Sequence, residues 1–151
     1  MDDPYHLQRF VDAQDSCFLQ VRSELVAGKK RSHWMWFVFP QIQGLGLSPM
    51  AQRFAISGLN EARAYLLHPV LGPRLRDCTA LVNAVVGRPI ADIFGWPDDL
   101  KFHSSVTLFG WATSRGASDE SAGNDVFAEA LTKYFSGVPD QATLDRLPPK
   151  L

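Results

Sequence analysis

Two stretches of this chain carry side chains whose types and spacing could do chemistry. The first is Arg31-Ser32-His33-Trp34-Met35-Trp36-Phe37-Val38-Phe39-Pro40-Gln41, which directly follows Lys29 and Lys30. It holds two of the four tryptophans, together with Phe37 and Phe39, and sets His33 and Gln41 among them. An apolar run this dense must be buried, and a buried indole N–H needs a partner. Two uses fit. In a pocket wall, Trp34 or Trp36 stacks on a planar ring while His33 and Gln41 hydrogen-bond its edge or a sugar. In a core, the rings pack on one another and the polar groups find backbone partners. His33 sits beside Ser32 at an expected helix start, where it is accessible.

The second stretch is Lys101-Phe102-His103-Ser104-Ser105-Val106-Thr107-Leu108-Phe109. On a helix, Lys101, Ser104, Ser105 and Leu108 fall on adjoining faces. Serine and threonine are indifferent in mid-helix because their hydroxyls compete for the backbone. Such a concentration suits hydroxyls aimed at a phosphate or ribose beside Lys101. It also suits back-bonding to carbonyls in a tightly packed helix. Asp98 and Asp99 complement the dipole in the first turn, or supply an acid or base near Lys101.

Other chemistries lack their signatures. Ser105 has no nucleophile-elbow glycines around it. The histidines, His6, His33, His68 and His103, form no i, i+4 ligand pair, so no metal is expected. Gly44-Leu45-Gly46 follows no strand and is no dinucleotide fingerprint. No cofactor is expected. Cys17 and Cys78 read as small buried hydrophobes without a disulfide framework. The net charge of −1 offers no basic excess for a nucleic-acid backbone, so nucleic acid is not an expected partner. The acidic start Met1-Asp2-Asp3-Pro4 is no signal peptide, and no apolar stretch approaches a membrane span. A cytoplasmic protein is expected.

The elements that must position these residues read as helices. At 151 residues and 46% hydrophobic, the chain is long enough for one domain with a real core. Asp3-Pro4, Ser48-Pro49 and Trp96-Pro97 are start signals. Leu7, Phe10 and Val11 share a face, as do Cys17, Val21 and Leu25. Gly28 is a stop. The aromatic run starts a short helix capped by Ser32 that must end near Phe39, because the residue before proline leaves the helical region. Leu59 to Leu67, Pro69 to Val86, Pro89 to Phe94, Trp96 toward Trp111, Asp125 to Phe135 and Asp140 to Leu147 complete the helical set. Residues 114–123 read as a mobile surface loop and 148–151 as a frayed tail. No period of two persists for strand length. The expectation is an all-α single domain, 1–151, of seven or eight helices of uneven length, and not a simple up-and-down bundle.

Several segments together resemble a known family. They are Asp3-Pro4 with Leu7-Gln8-Arg9-Phe10, Ser32-His33-Trp34-Met35-Trp36 with Phe39-Pro40-Gln41, Gly44-Leu45-Gly46, His68-Pro69-Val70-Leu71-Gly72, Ile93-Phe94-Gly95, and Lys101 with Ser104-Ser105 and Thr107-Leu108-Phe109. The chain is similar from about Asp3 to Leu147 to the bacterial family known as domain of unknown function 1810. That resemblance implies an all-helical domain and brings no established activity or catalytic set. The chain departs from the family pattern at Phe102-His103, where Leu and Arg are usual, which weakens the case for a phosphate clamp there. A more remote analogy, on size, helical content and a Trp/Lys pocket, is to the NADAR domains, which process ADP-ribose adducts.

The function expected from these residues is binding of a nucleotide-sugar, such as an ADP-ribose derivative, by His33, Trp34, Trp36, Gln41, Lys101, Ser104 and Ser105. In a catalytic version, His33 or Lys101 would stabilise the leaving group of an N-glycosidic cleavage. The alternative is a non-catalytic module that binds a protein partner through an exposed apolar patch.

Overall fold

The computed structural model describes residues 2–116 and 125–148. Helices run in the order α1 Gln8–Asp15, α2 Phe18–Val26, α3 Met35–Val38, α4 Pro49–Arg53, α5 Leu59–Leu67, α6 Leu71–Asn83, α7 Ile90–Phe94, α8 Asp98–Gly116, α9 Val126–Phe135 and α10 Gln141–Leu144. The class is all-α, and no strand occurs among the described residues. A lone parallel bridge joins Ile42 to Ile56. The expected seven or eight helices are ten among the described residues. Four of the ten, α3, α4, α7 and α10, have only four or five residues. Proline and glycine cut the apolar segments after a single turn, so pieces that read together in sequence separate in space.

Local signals explain most boundaries. The Asp3 carboxylate accepts the Leu7 and Gln8 N–H groups at 2.7 and 3.0 Å. It therefore caps α1 from outside, and the helix begins later than Asp3-Pro4 alone suggests. Ser48 caps α4 through Ala51 N–H, Asp125 caps α9 through Phe127 N–H, and Asp140 caps α10 through Thr143 N–H. Gly28 takes the left-handed conformation that ends α2. The helix expected from Pro69 to Val86 is shorter, Leu71–Asn83. Lys133 donates to the Asn83 and Val85 carbonyls at 2.5 and 2.6 Å and so satisfies the end of α6 from α9. Of the expected 114–123 loop, the backbone of 114–116 continues α8, and 117–123 lie outside the described residues. So do 149–151 of the expected tail.

Helix α8 is the axis of the molecule. α5, α7, α9 and α10 pack against it, and α6 packs against α2, α5 and α9. Phe102, Val106, Leu108 and Phe109 of α8 are buried in one continuous core. Phe102 stacks on Phe94 at 4.9 Å between centroids and meets Phe39 edge-on at 5.1 Å. Rings this close add about 0.5–1.5 kcal/mol per pair beyond the area they bury. On the other side, Tyr65 packs between Phe10 and Phe109. Its hydroxyl meets the Gln14 amide at 3.1 Å, and that amide also donates to the Phe37 carbonyl at 2.7 Å. Buried Gln14 thus ties α1, α3 and α5 together.

Candidate functional site

The seven residues singled out by type and spacing have different fates. Trp34 is 1% exposed. Its rings lie between Phe39 and Phe94, and its N–H donates to Glu24 at 3.0 Å. Both its faces and its edge are therefore taken up by protein. Trp36 is partly exposed, packed against the rim of the core. His33 is exposed and makes no hydrogen bond among the described residues. Gln41 is partly buried; its carbonyl accepts from Ile56 N–H at 2.9 Å, and its side-chain oxygen faces Gly46.

Lys101 reaches from α8 over the Trp36 ring, 5.4 Å from its centroid, with 24% of its side chain exposed. Residues 65 positions apart in the chain thus meet at one seam. The serines of α8 do not join them. Ser104 donates to the Leu100 carbonyl at 3.2 Å and the Asp140 carboxylate at 3.0 Å. Thr107 donates to the His103 carbonyl and accepts Asp140 N–H at 2.9 Å. These hydroxyls dock α10 onto α8. Ser105 is fully buried and its hydroxyl has no partner among the described residues. Of the expected set, the structure brings together Trp36 and Lys101; Trp34, Gln41 and Ser104 are engaged by other partners, and Ser105 is buried with its hydroxyl unpaired among the described residues.

Two groups that build the seam were missed by sequence reasoning. Glu24 is 3% exposed, yet its carboxylate accepts from Arg31 N–H, Ser32 N–H, the Ser32 hydroxyl, the Gln20 amide and the Trp34 indole, all between 2.6 and 3.0 Å. Burial alone would raise this carboxyl. The hydrogen bonds outweigh burial and hold it at about 2. Glu24 thereby fixes the turn that delivers Trp34 and α3. The signal was a carboxylate three residues after Val21 and next to Leu25, on the apolar face of α2.

The second is Lys30, whose side chain is 7% exposed. Its ammonium meets Asp98 at 2.9 Å, donates to the Ser32 carbonyl and lies 5.1 Å over the Trp34 ring. Asp98 also faces Lys101 at 3.5 Å. One carboxylate therefore serves two lysines, and the turn between Lys30 and Trp34 carries exposed Arg31 and His33. The expected dipole role of Asp98 stands beside this pairing, because Asp98 opens α8. Among the described residues, no cluster of three His, Cys, Asp or Glu side chains could hold a metal. No helix among the described residues is long and apolar enough to cross a membrane.

A family described as "Protein of unknown function" matches residues 4–147. Among solved structures, the chain is similar to the conserved hypothetical protein Rv1873 from Mycobacterium tuberculosis. The two share 53% sequence identity and a TM-score of 0.90, over 98% of this chain and 100% of that one. No curated protein matches.

Proposed function

The chain belongs to the DUF1810 family, whose description assigns no activity, and from the geometry of the seam we propose that it binds a small anionic ligand bearing a planar ring, of the nucleotide-sugar kind, where α3 meets α8. The observation that carries this reading is Lys101, partly exposed over Trp36 while sharing Asp98 with Lys30. The Lys101–Asp98 contact is the longer of the two, so the Lys101 ammonium can turn to a phosphate while Lys30 keeps Asp98 in place. Trp36 offers partly exposed ring surface, and the turn leading into α3 carries exposed His33 and Arg31 as further donors. Trp34 and Glu24 support the site from beneath. The reaction that these groups suit is hydrolysis of an N-glycosidic bond. Water adds to the anomeric carbon as its bond to nitrogen breaks, and the departing nitrogen takes up the proton released from the water. His33 or Lys101 stabilises charge on the departing group.

A thermal-shift screen against nucleotides, ADP-ribose, NAD and simple sugars tests the reading. A ligand at about a hundred times its dissociation constant stabilises the fold by about 2.7 kcal/mol, or several degrees. The shift should vanish in Lys101→Ala and shrink in His33→Ala. A flat screen would overturn the proposal.

A second reading, a protein-interaction module, is favoured by Trp96, which is 80% exposed at the start of α8. Leu100 and Val138 are exposed as well. His103, one turn beyond Leu100, holds the Val138 carbonyl at 2.8 Å. Trp96→Ala should then abolish partner capture while leaving the melting temperature unchanged.

A further inference from the structure

A ligand-sized groove lies apart from the seam, walled by α1, α3 and α4. Its volume is about 420 Å³, and its floor includes Phe37, Met50 and Phe54. That volume is in the range of small-molecule sites. The Phe37 and Phe54 rings are 5.4 Å apart at their centroids, and both residues are buried, so the floor is rigid as well as aromatic. None of His33, Trp36 or Lys101 lines it.

The charged groups at the groove divide into a structural one and available ones. Arg9 is structural. Its guanidinium donates to the carbonyls of Tyr5, His6, Arg53 and Ala55 and to the Glu61 carboxylate, between 2.6 and 3.1 Å, which engages all five of its N–H groups. It rivets α1 to the segment that follows α4, and Glu61 balances its charge. Arg53 is different. Its guanidinium lies 5.0 Å over the Phe54 ring and makes no hydrogen bond or ion pair among the described residues. Its donors remain available beside the aromatic floor.

His6 is the second available group. Its ring makes no hydrogen bond among the described residues, and its backbone is held at φ +52°. Few side chains adopt that region. His6 N–H bonds the Asp3 carbonyl at 3.0 Å, and Arg9 grips the His6 carbonyl at 2.8 Å. The turn is therefore overdetermined, as is common where backbone strain serves a site. Asp12 completes the rim and takes the Gln8 amide at 2.9 Å. Its negative charge works against a ligand with several anionic groups.

We propose that this groove is a second binding site, for a small organic anion made of one carboxylate or phosphate monoester on an aromatic or apolar body. The body lies against Met50 and Phe37, with Phe54 buried behind them beneath the Arg53 guanidinium. Arg53 takes the anion in a forked hydrogen bond, and His6, whose backbone is held by the same Arg9 guanidinium as that of Arg53, adds a donor. Asp12 disfavours polyphosphates, which sets this site apart from the one proposed at the seam.

Phenyl phosphate is the probe, titrated into the full chain and followed by amide chemical shifts. Saturable shifts are expected at residues 6–16, 37 and 50–54. Arg53→Gln should weaken binding by about tenfold or more, and so should replacing the probe with neutral benzyl alcohol. His6→Asn suits the same backbone and gives an independent, smaller loss. Lys101→Ala, at the seam, should leave the shifts at 6–16, 37 and 50–54 as they are, whatever it does to shifts at the seam, so failure of one site leaves the other standing. Lack of saturation by about 10 mM, shifts centred elsewhere, or equal affinity in Arg53→Gln and the natural chain would overturn the proposal.

Discussion

Glu24 shows what one residue can do when every acceptor site is used. Its carboxyl sits at about 2 instead of 4.5 in the folded chain, because hydrogen bonds from Ser32, Arg31 and Gln20 outweigh burial. A carboxyl depressed on folding contributes stability above its unfolded value and loses it as pH falls through the folded one. The displacement corresponds to about 3 kcal/mol. Between pH 4.5 and pH 2 the natural chain should therefore lose about 3 kcal/mol more stability than Glu24→Gln in urea titrations. Parallel pH profiles for the two would mean that Glu24 does not carry the linkage. The α8 hydroxyls separate on the same logic. Ser104 donates to a carboxylate, so Ser104→Ala should cost about 1–2 kcal/mol. Ser105 has a buried hydroxyl without a partner. Ser105→Ala should be neutral or stabilise by up to about 1 kcal/mol, read as an unchanged or higher melting temperature. Sequence placed these two serines together; only the direction in which each hydroxyl points tells them apart.

At the scale of elements, the close junction between α5 and α6 rests on a single absent side chain. A Cβ on Gly72 would collide with the Leu66 carbonyl oxygen, which belongs to the backbone and cannot swing away. Gly72→Ala should therefore force the two helices apart and cost about 2–3 kcal/mol by chemical denaturation. Gly87 is a control of the opposite kind. It has no atom near its missing Cβ and a φ of +75°, so Gly87→Ala should cost only about 1 kcal/mol of backbone strain. Equal effects would show that space at the α5–α6 junction is not limiting. Caps and stops within these elements were readable because they act over three or four residues. Ser48, Asp140 and Gly28 each do what their types suggest. The far end of α6 was not readable, because its carbonyls are satisfied by Lys133, 50 positions from Asn83.

Across the whole molecule, the two cysteines report on different depths. Cys78 is fully buried in the core, and burial pushes its thiol up to about 12. Cys17 is partly exposed, with its thiol raised mainly by burial. Under iodoacetamide at pH 8, Cys17 should react slowly in the native protein. Cys78 should react only as fast as the fold opens, and urea should accelerate it in step with the loss of helicity. Reaction of Cys78 without unfolding would reveal a local opening near α6.

The chain by itself determined that this protein is helical, roughly where its helices start and stop, and which family it resembles. Those properties depend on side-chain period and on capping within a single turn. It also marked the His33–Gln41 and Lys101–Phe109 stretches as unusual. Tertiary structure decided what they do. It buried Trp34 on Glu24, sent Ser104 to Asp140 and left Lys101 above Trp36 with half of a shared carboxylate. It also assembled the Arg53 groove from helices that no motif connects. The reason is that a buried polar group takes its partner from whichever distant segment the packing brings near, and local spacing carries no record of that choice.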